Sequence, residues 1–109
     1  MIPVVRNLFA DFSSSEGPEE FHLLLKGGSF RMESIVSKGQ SSDTDSWYDQ
    51  QDAEWVVLLK GTASLIFEGD ENLHLKAGDY LLIPPHCRHR VSVTSRDAIW
   101  LALHTQKVE

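Results

Sequence analysis

The chain has 109 residues, 10 Lys+Arg against 16 Asp+Glu for a formal net charge of −6, and is 41% hydrophobic and 24% charged. That length suits one domain around a single core. The acidic balance without a Lys/Arg cluster excludes nucleic acid as partner, no apolar run approaches the roughly 20 residues that cross a bilayer, and the lone cysteine, Cys87, excludes an intrachain disulfide.

Met1 to Phe12 is a short mixed stretch carrying Arg6 and Asp11, without the apolar core of a signal peptide, so a cytoplasmic location is expected. Residues 1–20 are expected to form an N-terminal extension, and about 21–104 a barrel, within one domain spanning 1–109. A break falls at Ser13-Ser14-Ser15-Glu16-Gly17-Pro18, after which Pro18-Glu19-Glu20 is suited to one helical turn, with Pro first and acids at the positive dipole end. No apolar spacing of i, i+3, i+4, i+7 persists over three turns, so no longer helix is expected.

Short β-like runs follow, separated by turn residues. Phe21–Lys26 precedes Gly27-Gly28, and Phe30–Ser37 comes next. The polar stretch from Ser37 to Ser46 is expected to be a solvated loop. Trp55–Leu59 meets Lys60-Gly61, Thr62–Phe67 reaches Gly69-Asp70, and Leu73–Leu75 ends near Ala77-Gly78-Asp79. Tyr80–Ile83 stops at Pro84-Pro85, where two missing donors end a ladder; His89–Thr94 and Ala98–His104 complete the set. Eight short strands predict an antiparallel sandwich or small barrel.

Two strands can be oriented. Alternation in His89–Thr94 puts His89, Val91 and Val93 on one face, expected to be interior. Glu54–Leu59 is apolar on both faces, with Glu54 sharing a face with Val56 and Leu58. If that face is interior, a carboxylate lies at the mouth of an apolar cavity and needs a partner. Trp55, Val57 and Leu59 form the second apolar face, from which a twofold homodimer is expected.

Glu54 through Gly61 and Gly78 through His89 resemble the two motifs of the cupin family. The first ends in Glu, six residues and Gly, matched by Glu54 and Gly61. The second runs Gly, five residues, Pro-x-Gly, two residues, His, three residues and Asn; Gly78, Pro84 and His89 match it. The likeness covers roughly Ser37 to Val93. It implies an all-β fold, a small antiparallel double-stranded β-helix (the cupin jelly-roll barrel). It also implies a divalent metal ion (Zn, Fe, Mn or Ni) held by Glu54 and His89. The first motif's His-x-His positions are occupied by Tyr48 and Gln50, or by Trp47 and Asp49, depending on spacing. The run Trp47-Tyr48-Asp49-Gln50 resembles a variant of small bacterial cupins. His86 stands where the second motif has Gly, and Val93 where it has Asn.

One carboxylate and one imidazole are two ligands, short of the three that an open metal site usually takes from protein. Gln50 or Asp49 is the expected third ligand and His86 or His104 a fourth. The alternative is a metal-free barrel in which Glu54 and His89 form a buried hydrogen-bonded pair. Tyr48 is the candidate acid or base, and Trp47, Tyr48 and His104 are candidate pocket residues. Cys87 is expected to be a small packed residue, and His22 and His74 to face solvent. Two functions follow: a metal-dependent enzyme for a small polar molecule, or a non-catalytic ligand-binding or sensory module without metal.

Overall fold

The computed structural model describes residues 2–10, 17–41, 47–69, 71–106 and 108. Most of the break at 13–18 and the second half of the polar stretch, 42–46, lie outside them. The described residues form eight strands and no helix: β1 (Glu20–Lys26), β2 (Phe30–Val36), β3 (Ala53–Lys60), β4 (Thr62–Phe67), β5 (Glu71–Lys76), β6 (Tyr80–Ile83), β7 (His89–Thr94) and β8 (Ile99–Thr105). All pairings are antiparallel. A five-stranded sheet of order β1-β2-β8-β3-β6 faces a three-stranded sheet of order β5-β4-β7. The helical turn expected at Pro18-Glu19-Glu20 does not form. Glu20 instead opens β1 opposite Val36, because the ladder satisfies backbone groups that one isolated turn would leave open.

Val56 and Leu58 of β3, Trp100 and Ala102 of β8, Ala63 and Leu65 of β4, and Leu75 and Ile83 fill the space between the sheets. Leu58 is 0% exposed. The β3–β4 turn requires Gly61: its φ is +83°, and a Cβ there would come within 2.9 Å of the Ala98 Cα.

Alternation in β7 holds for His89 but fails after Val91. A register shift between Ser64 and Leu65 pairs Val91 with Leu65 and Val93 with Ser64, so Ser92 is the extra residue. The bulge reverses the faces: Val93 is 53% exposed and Thr94 is buried, its hydroxyl donating to the Gln40 carbonyl.

Candidate functional site

Strand pairing sets the interior of the large sheet in rows. One row runs Arg31, His104, Glu54, Ile83 across β2, β8, β3 and β6; the next runs Glu33, Ala102, Val56, Leu81; a third holds Ile35, Trp100 and Leu58. Polarity therefore falls from one end of the barrel to the other. The polar rows face a cavity of about 620 Å³, within the usual ligand-pocket range of about 300–1,000 Å³.

His89 enters this end from the small sheet. The segment before β3 is stapled beside it: Tyr48 N–H donates to the His89 carbonyl at 2.7 Å, His89 N–H to the Tyr48 carbonyl at 3.2 Å, and His86 N–H to the Gln50 carbonyl at 2.8 Å. These bonds carry Tyr48 and Gln50 to the cavity wall. The His89 ring lies between Phe67 and Tyr48, with centroids 5.8 and 5.5 Å away. Its Nδ1 meets the Cys87 carbonyl at 2.9 Å, and since a carbonyl only accepts, Nδ1 carries the proton. Nε2 is left facing Glu54 Oε1 at 4.0 Å, too far for a hydrogen bond. Gln50 Nε2 donates to that same oxygen at 3.2 Å. Glu54 and His89 are 8% and 5% exposed.

A second carboxylate–imidazole pair lines the same cavity. His104 Nε2 lies 3.0 Å from Glu33 Oε1, a diagonal contact across β2 and β8. The His104 Nδ1 is buried without a partner. Beyond it, Trp100 Nε1–H donates to Ser37 Oγ at 3.1 Å, and the Ser37 hydroxyl donates to Glu19 Oε2 at 3.0 Å. Burial holds the Glu19 carboxyl above its ordinary value, only partly offset by Ser37.

A cupin-domain family profile matches residues 32–104 of this sequence. The chain belongs to the cupin family. Among solved structures, a protein from Ralstonia eutropha JMP134 provisionally assigned as a mannose-6-phosphate isomerase is 39% identical, with a TM-score of 0.90 over 96% of this chain and 100% of that one. An RmlC-like cupin with a double-stranded β-helix fold from Methanocaldococcus jannaschii is 15% identical, with a TM-score of 0.73 over 96% of this chain and 92% of that one. KdgF from a Halomonas species is also 15% identical, with a TM-score of 0.71 over 90% of this chain and 89% of that one. The last two show the fold. No curated protein matches the sequence significantly.

In this cupin, Glu54, His89, Gln50, Tyr48 and His104 line the one cavity. Asp49 and His86 do not: they pair with each other at 2.8 Å on the exposed rim. His86 takes the left-handed φ of 59° after the two prolines, the place where the motif has Gly, and this turns its ring outward to Asp49. Trp47 also lies off the cavity lining, its ring 5.7 and 5.5 Å from the guanidinium carbons of Arg88 and Arg90. Among the described residues no group of three or more His, Cys, Asp or Glu is placed to hold a metal ion. Glu33, Arg31, Glu19 and Ser37 are cavity residues that the sequence did not single out. His22 and His74 sit away from it, bonded to Glu20 and Ser64.

Proposed function

We propose that this cupin binds a small polar molecule at the polar end of its cavity, oriented by Gln50, Glu54 and His89. One observation carries the reading. Two buried polar side chains converge from opposite sheets to 4.0 Å without bonding each other, on the wall of an open cavity. Neither spends its remaining hydrogen-bonding capacity on the other, so a ligand that bridges them gains contacts to both.

The same donors fit an exchangeable divalent ion (Zn, Fe, Mn or Ni). His89 keeps its Nδ1 proton on a backbone carbonyl, the arrangement usual for a ligating imidazole, and presents Nε2. Glu54 supplies a carboxylate, and Gln50 supplies an amide oxygen once its amide is turned. With one anionic donor among three and a weak amide oxygen as the third, the ion would be held weakly; when bound it would polarise a ligand oxygen. Tyr48, at the mouth beside His89, is the residue placed to exchange a proton with the bound molecule. The metal-free reading draws on the want, among the described residues, of a third His, Cys, Asp or Glu beside Glu54 and His89: the cavity is then a binding or sensory site alone.

His89→Ala separates these readings. Metal content after anaerobic purification should fall sharply while the barrel still melts cooperatively. A parent protein that takes up no Zn, Fe, Mn or Ni, even when each is added, refutes the ion and leaves the ligand site. A second copy is proposed to cover the outer face of the large sheet, where Trp55 lies between Leu82 and Leu103. Light scattering at micromolar concentration should report a dimer that Trp55→Asp dissociates.

A further inference from the structure

The charges lining the cavity do not balance. Glu19, Glu33, Asp52 and Glu54 face it against one guanidinium, Arg31, which is itself largely exposed. The polar side-chain partners of Glu19, Glu33 and Glu54 are Ser37, His104, Gln50 and His89. Glu19 is the clearest case. Burial alone pushes its carboxyl up, the mark of an anion removed from water without a counter-charge.

Hydrogen-bonding capacity is skewed in the same direction. Carboxylates only accept. His104, 5% exposed, gives its Nε2 proton to Glu33, so in the neutral ring its orphaned Nδ1 is one more acceptor without a donor. A ligand group that only donates and carries positive charge answers both deficits, and an ammonium is that group.

The spacing of the acids separates an organic cation from a metal ion. Glu33 stands one row inward from Glu54, Glu19 lies beyond it on Ser37, and no three such groups converge on a point. Between them the wall is apolar and aromatic: Ile35, Val56, Trp100 and Phe21. Dispersed carboxylates over hydrocarbon and ring surface suit a chain of methylenes with charged ends. An anion is disfavoured, because it would face those carboxylates with Arg31 as its one cationic contact. That argues against a phosphorylated sugar as the occupant here.

We propose that the cavity selects a small aliphatic diamine, its ammonium ends held by Glu33 and Glu19 and its hydrocarbon body on Ile35, Val56 and Trp100. This rests on the reading of the cavity as a ligand site. The test is calorimetric titration of the chelator-treated full chain at low ionic strength with three probes of equal length: 1,4-diaminobutane, 1,4-butanediol and succinate. Saturable binding is expected for the diamine alone, weakening as salt is raised. Glu33→Gln and Glu19→Gln should each weaken it about tenfold or more. Arg31→Gln, which removes the opposing charge, should strengthen it. Succinate or the diol binding as well as the diamine, or a diamine affinity indifferent to Glu33→Gln and Arg31→Gln, overturns the cation. If the diol binds and Glu54→Gln abolishes it, the ligand site stands without the cation; if no probe binds, the cation proposal fails. Manganese chloride displacing the diamine one-for-one would place the ammonium at Glu54 and His89, away from Glu19 and Glu33, and would overturn the placement.

Discussion

Glu54→Gln removes one charge from the buried end of the cavity while keeping the side chain's length and one accepting oxygen. Between a carboxylate and an imidazolium 4.0 Å apart the attraction is about 4 kcal/mol at an effective dielectric of roughly 20, and it vanishes when the ring is neutral. Removing the carboxylate from water costs several kcal/mol. The two are of one size, and the 4.0 Å separation supplies no hydrogen bond to tip them. What remains is the Gln50 amide at 3.2 Å, which still finds an oxygen in the variant. A hydrogen bond to a charged group contributes about 1.5–3 kcal/mol and a neutral one about 0.5–1.5, so this contact weakens by about 1 kcal/mol. The expected net change is therefore within about 1 kcal/mol of zero, less than about 4–8 °C in melting temperature for a domain near this size. Ligand and ion binding should nevertheless be lost. Scanning calorimetry beside titration of ligand and metal measures both. A fall of about 3–5 kcal/mol, the usual cost of breaking a buried ion pair, would show instead that Glu54 and His89 are a structural pair and that the cavity reading is wrong.

Three further outcomes are expected. Leu58→Ala opens a void beside Trp100 at a fully buried position and should cost about 2–5 kcal/mol by denaturant titration; a smaller loss would mean that the sheets close over it. His86→Gly should leave stability unchanged or raise it by up to about 2 kcal/mol, since left-handed backbone costs an ordinary L-residue about 1–2 kcal/mol and the exposed Asp49 pair is worth about 0–1; a clear loss would give the rim pair a structural role. Asp79 accepts from the Lys76 amide at 2.9 Å and faces its ammonium, which hold its carboxyl below the ordinary 3.8. Its contribution is thus present above pH 3.8 and lost as pH falls through the depressed value, so Asp79→Asn should flatten the acid limb of stability; an unchanged limb refutes the turn's role.

The fold was legible because its signals are local. Turn residues separate the strands, glycines or prolines at several of them, and three strands, Thr62–Phe67, Tyr80–Ile83 and His89–Thr94, form over the expected residues. The boundaries that moved did so by pairing. β5 extends to Glu71–Lys76 because its backbone follows Thr62–Phe67 residue for residue, although its side chains are mostly exposed and carry no alternation. The bulge at Ser92 left no mark in sequence, since the alternation of β7 continues through it unbroken and only the partner's register reverses the face.

The site was half legible, and the division follows from where each contact originates. Glu54 and His89 were visible because each keeps a motif position on a strand whose apolar face is evident. Glu33 was hidden by a misleading pattern. In Arg31-Met32-Glu33-Ser34-Ile35-Val36 the apolar weight falls on Met32 and Val36, so alternation assigns Arg31 and Glu33 to solvent. They line the cavity, Glu33 half-buried and Arg31 at its open rim, because β2 lies against β8, which puts Arg31 opposite His104 and Glu33 one diagonal away. That pairing joins residues 71 positions apart in the chain. β2 is covered on both faces, Ser34 and Val36 buried on one and Glu33 and Ile35 lining the cavity on the other, so its alternation alone does not say which face carries a site. On β2 the cavity face carries Glu33, beside the orphaned nitrogen of His104. The cavity's acids and its want of a donor thus fall on one wall, so β2 and β8, and not the motif residues alone, set the chemistry of the ligand.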